Sequence, residues 1–124
     1  MKTLTLAIAA TFLATSGAIA AAPVKTVKSS IGDVLAGENG MTLYTYKDDS
    51  MGKSTCYDAC AKNWPPFMAT GNAMADGAYS IIERKDGSKQ WAKDGMPLYY
   101  WIKDKKSGDA TGDGMKGEWD AARP

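Results

Sequence analysis

The chain has 124 residues, of which 15 are basic and 14 acidic, and it contains no histidine. A chain of this length has room for one small domain, and a near-neutral charge of mixed signs gives no electrostatic reason to expect binding to nucleic acid or to an anionic membrane. The absence of histidine excludes the usual general base, the Ser–His and Cys–His nucleophile pairs, and most zinc, copper and haem sites.

The first segment, residues 1–20, has the organisation of a cleavable signal peptide. Lys2 precedes an apolar stretch over residues 4–14, and small residues lead to an Ala18-x-Ala20 cleavage pattern. The unbroken apolar part is too short to cross about 30 Å of hydrocarbon, and no later segment is apolar enough to span a membrane. We therefore expect residues 21–124 to form the mature protein, a single domain in the periplasm or outside the cell.

The mature chain contains an internal repeat. A shift of 55 residues superimposes identical residues, including Tyr44 on Tyr99 and Trp64 on Trp119. Because tryptophan and tyrosine are rare, these coincidences indicate a duplicated unit. The two copies, at about 24–69 and 79–124, are each too small to bury a core alone and are expected to pack on each other.

Each copy is predicted to form an antiparallel β-meander, so that the fold is mainly β. Turns are expected near Gly32, at Asn39-Gly40, at Asp86-Gly87 and at Asp94-Gly95, because such residues supply the positive φ angles of tight hairpin turns. Aromatic and β-branched residues fill the intervening segments. The predicted strands are residues 24–27, a short strand ending at 36, and residues 42–46, 79–82, 89–92 and 97–102.

One short helix and one linker complete the predicted organisation. Thr55 and Asp58 resemble a capping box at the start of a helix over residues 56–63. Pro65 and its neighbouring proline end the helix, since a residue before proline avoids the α region. Residues 68–77 are small and polar and are interpreted as the linker between the copies.

Cys56 and Cys60 are the only cysteines in the chain. Four residues apart on a helical turn, their Cα atoms would lie about 6 Å from each other, within disulfide range. The C-x3-C spacing and the lack of an adjoining basic residue argue against a redox pair. In an oxidising compartment we therefore expect a structural disulfide between them.

Two copies of a Yx(FWY)xxD pattern identify a family resemblance. The motif residues are Tyr44, Tyr46 and Asp49 in the first copy and Tyr99, Trp101 and Asp104 in the second. Around them stand the segments KSTC, CAKNWPP, DGMPLYY and GDG and a final tryptophan. Over essentially the whole mature chain, the sequence resembles the bacterial secreted-repeat family, often described as predicted lipoproteins with this motif.

The resemblance implies an envelope or secreted location and a two-repeat domain. It implies no reaction, because the family has no established biochemical activity. Two departures from the family pattern are visible. The chain lacks the lipid-accepting cysteine of lipoprotein members, and Asp120 follows the final tryptophan where many members have a histidine.

The recurring aromatic residues leave two interpretations open. Alternation places Tyr44 with Tyr46, and Tyr99 with Trp101, on one face of a sheet. The preferred interpretation is that these large side chains fill a small core. Exposed on the surface, the same residues would stack on sugars or aromatic ligands.

Asp49 and Asp104 recur just after a strand in each copy. Aspartates at such positions commonly accept backbone N–H bonds in a turn, and this is the preferred interpretation. A hydrolase that uses these residues as a carboxylate pair is the weakest of the functional hypotheses. We predict no catalytic residue and no cofactor.

One segment resembles a metal site. Asp109, Thr111 and Asp113, with Asp120 at the twelfth position, partly match a calcium-binding loop, although aspartate replaces the usual final glutamate. A Gly- and Asp-rich surface loop is the preferred interpretation. Methionine thioethers can bind Cu(I), but the methionines of this chain are scattered along the sequence.

The sequence therefore predicts an exported envelope protein of unknown biochemical activity. The main hypothesis is a non-catalytic protein that binds an envelope partner or a small ligand. The alternative is a periplasmic protein that binds calcium or copper.

Overall fold

The computed structural model describes residues 22–124, so the predicted signal peptide over residues 1–20 lies outside the described residues. The described chain is mainly β, as predicted. Its strands are β1 (Val24–Ser29), β2 (Gly32–Gly37), β3 (Tyr44–Tyr46), β4 (Tyr79–Glu83), β5 (Lys89–Lys93), β6 (Met96–Pro97) and β7 (Trp119–Ala121). A short helix, α1 (Ala59–Asn63), follows β3, and a 3-10 turn (Met115–Gly117) precedes β7. Among these residues no helix combines the length and the hydropathy needed to cross a membrane.

The strands form two hairpin systems, one in each repeat. β1 and β2 pair antiparallel around a two-residue turn, and β4, β5 and β6 form an antiparallel meander. Between β5 and β6, Asp94 and Gly95 have φ angles of 52° and 85°. These are the positive φ angles that the sequence predicted for a tight hairpin turn at this Asp-Gly pair. The predicted turn near Gly32 lies one to two residues earlier, because Gly32 already belongs to β2.

The strands predicted over residues 42–46 and 97–102 are shorter than expected. Only Tyr44–Tyr46 and Met96–Pro97 are regular strands. Beyond Pro97 the chain still makes backbone hydrogen bonds, but they go to a segment that is itself irregular. Tyr100 N–H donates to Pro65 O at 2.8 Å and Ile102 N–H donates to Asn63 O at 2.9 Å. A segment rich in proline cannot continue a regular ladder, because proline lacks the N–H donor.

The last segment of each repeat completes the sheet of the other repeat. β7, from the second repeat, pairs antiparallel with β3, from the first. Next to β7, Ala122 N–H donates to Leu43 O at 2.8 Å, and in the same way Phe67 N–H donates to Leu98 O at 2.9 Å. Each repeat therefore contributes hydrogen-bonding partners that the other lacks, which is the mutual packing expected of two copies too small to fold alone.

Two apolar clusters form the core. The first is dominated by aromatic rings and contains Val34, Tyr44, Cys56, Trp64, Tyr99, Trp119 and Ala121. The second is more aliphatic and contains Leu35, Leu43, Phe67, Ala69, Trp91, Leu98 and Ala122. Both clusters draw residues from both repeats, so neither repeat has a core of its own.

The predicted helix over residues 56–63 is wrong at its start, since α1 begins at Ala59. Asp58 has a φ angle of 54°, and no side chain caps the helix. The supposed capping residue has another partner, because Thr55 donates both its backbone N–H and its hydroxyl to Asp49 Oδ1, at 2.7 and 2.9 Å. A buried carboxylate thus binds the chain just before the helix and keeps residues 55–58 outside it.

The predicted disulfide is present. Cys56 and Cys60 are bonded, with their Cα atoms 5.2 Å apart. Cys56 is fully buried in the aromatic core cluster, whereas Cys60 is half-buried beside it. The bridge therefore ties the loop that precedes α1 to the helix itself.

We expect the double variant Cys56→Ala/Cys60→Ala to lose about 2 kcal/mol of unfolding free energy, the gain that the chain-entropy model assigns to so short a closed loop. Urea titration of the variant and the wild type measures the difference. Reduction of the wild type by dithiothreitol should produce a loss of similar size and should leave the variant unchanged. Equal stability of the oxidised wild type and the double variant would contradict the prediction.

Candidate functional site

Four aromatic rings form one continuous stack, which we call the aromatic ladder. Its rings follow the order Tyr46, Trp119, Trp64 and Trp101. The successive centroid distances are 4.2, 3.8 and 4.0 Å, and the interplanar angles are 14°, 2° and 25°. The two central rings are equivalent residues of the two repeats, and so are the two end rings. The ladder therefore has an approximate two-fold axis between Trp64 and Trp119.

Strand pairing across the repeats positions the ladder. Tyr46 and Trp119 are directly opposite each other in the β3–β7 pair, where side chains on one face are in contact. Trp64 follows α1 directly and reaches Trp119 from the other repeat. Below the ladder, Tyr44 meets Trp64 and Tyr99 meets Trp119 edge to face, each with a centroid distance of 5.3 Å. Such stacked and perpendicular contacts are favourable beyond the area that they bury.

The ladder lines a cavity of about 200 Å3, which we call the aromatic cleft. All four ladder rings contribute to its wall, and the remaining lining residues are Cys60, Asn63, Met115, Lys116 and Glu118. The central tryptophans are 5% and 3% exposed, whereas Tyr46 and Trp101 at the two ends are half-buried. The aromatic residues of the motif thus divide between the two sequence interpretations. Tyr44 and Tyr99 are in the core, and Tyr46 and Trp101 reach the surface.

The motif tyrosines and aspartates form two reciprocal pairs between the repeats. Tyr44 donates its hydroxyl to Asp104 Oδ2, and Tyr99 donates to Asp49 Oδ2, each at 2.6 Å. Burial, and next the hydrogen bond to the aspartate, raise the pKa of each tyrosine well above its ordinary value. Each Yx(FWY)xxD copy therefore supplies the donor for one pair and the acceptor for the other.

The second oxygen of each aspartate binds a threonine of its own repeat. Asp49 Oδ1 accepts the N–H and hydroxyl of Thr55, and Asp104 Oδ1 accepts those of Thr111 at 2.9 and 2.7 Å. The aspartates are 7% and 6% exposed. As the sequence suggested, both accept a backbone N–H bond near a turn. Each carboxylate therefore accepts three hydrogen bonds inside the fold.

Sequence reasoning missed several of these residues. Thr55 and Thr111 are 56 residues apart, so a one-residue insertion hides their equivalence at a shift of 55. An alignment of the repeats with two compensating gaps would have found them, because Trp64 and Trp119 are again 55 residues apart. The residues Met115, Lys116 and Glu118 carry no pattern in the sequence, because only the fold brings them next to the ladder.

The segment that resembled a calcium loop forms turn and surface contacts. Asp109 accepts backbone N–H bonds from the turn before it, and Asp113 accepts one from Ala121 at 2.8 Å. Asp120 lies 3.7 Å from the ammonium group of Lys47. Within residues 22–124, no three side chains of His, Cys, Asp or Glu are grouped so that they could hold a metal ion. Thr111, in the same segment, binds the buried Asp104, so the segment is tied to the fold as well as to its own turn.

A family described as a secreted repeat of unknown function matches the chain twice, over residues 25–68 and 80–123. Each matched segment contains one copy of the Yx(FWY)xxD pattern. No curated protein and no solved structure matches the chain. The two matches together span most of the sequence, and the chain therefore belongs to this family of secreted repeats of unknown function.

Proposed function

We propose that the protein is an exported, non-catalytic binding protein that holds a small ligand with a flat face, a sugar or an aromatic ring, in the aromatic cleft. The observation that carries this proposal is the half-exposed position of Tyr46 and Trp101 at the ends of a stack whose centre is buried. Aromatic side chains left partly exposed beside a cavity are typical of ligand sites.

The size of the cleft limits the ligand. Sites for drug-sized molecules have volumes of roughly 300–1,000 Å3. The aromatic cleft, at about 200 Å3, is smaller and suits a single ring. Its rim carries one cation and one carboxylate, Lys116 and Glu118, which would pair with polar groups of a ligand without selecting a net charge.

The available side chains support binding without catalysis. The chain has no histidine, and the two recurring carboxylates, Asp49 and Asp104, each accept three hydrogen bonds within the fold. Neither carboxylate lines the aromatic cleft, so neither faces a ligand bound there. Among the described residues, Glu118 is the single carboxylate in the lining of the cleft, which is otherwise mainly uncharged, so the cleft holds no pair of carboxylates.

The location that we propose is the periplasm or the cell exterior. Membership of a secreted family, the signal-peptide pattern and a disulfide in a chain with two cysteines all support it. A binding protein in this compartment would meet sugars and small aromatic molecules directly.

Titration of the intrinsic tryptophan fluorescence with panels of monosaccharides and of one-ring aromatic compounds tests the binding proposal. We expect at least one member to change the emission and to saturate. Trp101→Ala should lower the affinity for that ligand about tenfold or more, because stacking on an aromatic side chain contributes roughly 1–3 kcal/mol to binding.

Ile102→Ala is the matched control, since Ile102 is 51% exposed, adjoins Trp101 and does not line the cleft. This variant should bind like the wild type. If neither panel binds, or if Ile102→Ala weakens binding as much as Trp101→Ala does, the aromatic cleft is not the binding site.

A further inference from the structure

Arg84 is a buried cation whose direct partners are all neutral. Its residue is 6% exposed, and its guanidinium donates to Ser54 Oγ at 3.0 Å, to Gln90 Oε1 at 2.7 Å and to Cys56 O at 2.7 Å. The ion pairs among residues 22–124 do not include it. Asp49 compensates the charge only indirectly, through Ser54 and a tyrosine hydroxyl. A buried charge without a direct counter-ion is costly, so a bound anion would stabilise this site.

A groove of about 380 Å3 lies at Arg84, and we call it the basic groove. It is lined by Lys53, Ser54, Tyr57, Glu83, Arg84 and Lys85. Two of the cations lie over the Tyr57 ring in cation–π contacts, with the Arg84 Cζ atom 4.3 Å and the Lys85 Nζ atom 5.0 Å from the ring centroid. Three cations thus face a single carboxylate, which leaves the lining with two positive charges in excess.

The other repeat shows that the fold does not require this charge. The registers of the two hairpins align Arg84 with Ser29 and Gln90 with Val34. Ser54 and Ala110 are equivalent because each directly precedes the threonine that binds the motif aspartate of its repeat. All three equivalents are uncharged, and Val34 is fully buried in the core. The first repeat therefore has apolar or neutral residues at the equivalent positions, whereas the second has a polar network around a cation.

We propose that the basic groove binds a phosphate dianion, either as the free ion or as part of a small phosphorylated molecule. A phosphate group has a charge of about −1.5 to −2 at neutral pH, which complements the excess charge of the lining. The planar guanidinium of Arg84 and the mobile ammonium groups of Lys53 and Lys85 suit its oxygens. None of the six lining residues lines the aromatic cleft, so the two sites are separate and can be tested independently.

Calorimetric titration of the mature protein with inorganic phosphate, at constant ionic strength, tests this inference. We expect saturable heat, and a melting temperature that is raised by phosphate but not by chloride of equal ionic strength. Glycerol 3-phosphate is the second probe. Tighter binding of this ester indicates a phosphorylated small molecule, and equal binding indicates the free ion as the ligand.

Charge variants on the exposed rim avoid the buried Arg84. Lys85→Gln should weaken phosphate binding about tenfold, the effect of losing one hydrogen bond to a charged group. Glu83→Gln should strengthen binding several-fold, because it removes the one carboxylate of the lining. Lys25→Gln, at an exposed lysine of β1 outside the groove, should leave the affinity unchanged.

A purely structural role for these residues would not produce opposite effects of Lys85→Gln and Glu83→Gln on affinity. The absence of phosphate-specific heat and stabilisation would overturn the proposal. Equal weakening by Lys85→Gln and Lys25→Gln would also overturn it, since that result indicates a general charge effect.

Discussion

Trp64→Ala is expected to lower the free energy of unfolding by about 3–5 kcal/mol, the usual loss for a buried tryptophan. Trp64 is 5% exposed, lies between two stacked rings at 3.8 and 4.0 Å, and meets Tyr44 edge to face. Because a small domain is stable by only about 5–15 kcal/mol, this single change removes a large part of the total. Urea denaturation followed by far-ultraviolet circular dichroism measures it.

The approximate symmetry of the aromatic ladder makes a second variant informative. Trp119→Ala should have an effect close to that of Trp64→Ala, and the double variant should lose less than the sum, since the two rings contact each other. If the double alanine variant does not fold, the same double-mutant cycle is measured with Trp64→Phe and Trp119→Phe. Met51→Ala, at a residue that is 76% exposed, is the control and should change stability by less than about 0.5 kcal/mol. A loss below about 1 kcal/mol for Trp64→Ala would show that the ladder is not central to stability.

Raising the pH above 10 is expected to destabilise the protein, and Tyr44 and Tyr99 together contribute up to about 2.7 kcal/mol per pH unit, at about 1.36 kcal/mol each. Burial also raises the pKa values of Tyr46, Tyr79 and Tyr100, which add to this slope. Burial, and next the hydrogen bonds to Asp104 and Asp49, raise the pKa values of Tyr44 and Tyr99 far above the ordinary value of 10.0. In the unfolded chain both hydroxyls have the ordinary pKa value and lose their protons near pH 10, whereas in the folded protein they remain protonated at that pH. The stabilisation is complete below pH 10 and is lost as the pH rises from there towards the folded pKa values.

Urea denaturation at intervals between pH 8 and pH 11 measures this dependence. Tyr44→Phe and Tyr99→Phe should each be less stable at pH 8, by about 1.5–3 kcal/mol for a lost hydrogen bond to a charged group. Each should also flatten the alkaline slope by about 1.4 kcal/mol per pH unit. Phe67→Leu, which weakens the core without removing a titrating group, should keep the wild-type slope. An alkaline slope unchanged in both tyrosine variants would show that these two hydroxyls do not control it.

Local patterns were enough to predict the β class, the hairpin turn at Asp94-Gly95 and the Cys56–Cys60 disulfide. Each of these depends on residues close together in the chain, whose backbone preferences and reach act over a few positions. The start of the helix was the local prediction that was wrong. Thr55 and Asp58 have the spacing of a capping box, but Thr55 donates to Asp49 instead. The hydrogen bonds that the buried Asp49 accepts from three donors stabilise the fold more than a side-chain cap would stabilise a five-residue helix.

By itself, the sequence determined that the chain is a duplicated β protein with one short helix, a Cys56–Cys60 disulfide and recurring Tyr, Trp and Asp residues. Only the tertiary structure decided which copy supplies the partner of each recurring residue. The exchange of terminal segments, the reciprocal Tyr–Asp pairs, the aromatic ladder and the environment of Arg84 all join residues far apart in the sequence. Periodicity and spacing describe one segment at a time, whereas these contacts exist only because two half-cores, each too small to exclude water, close on each other.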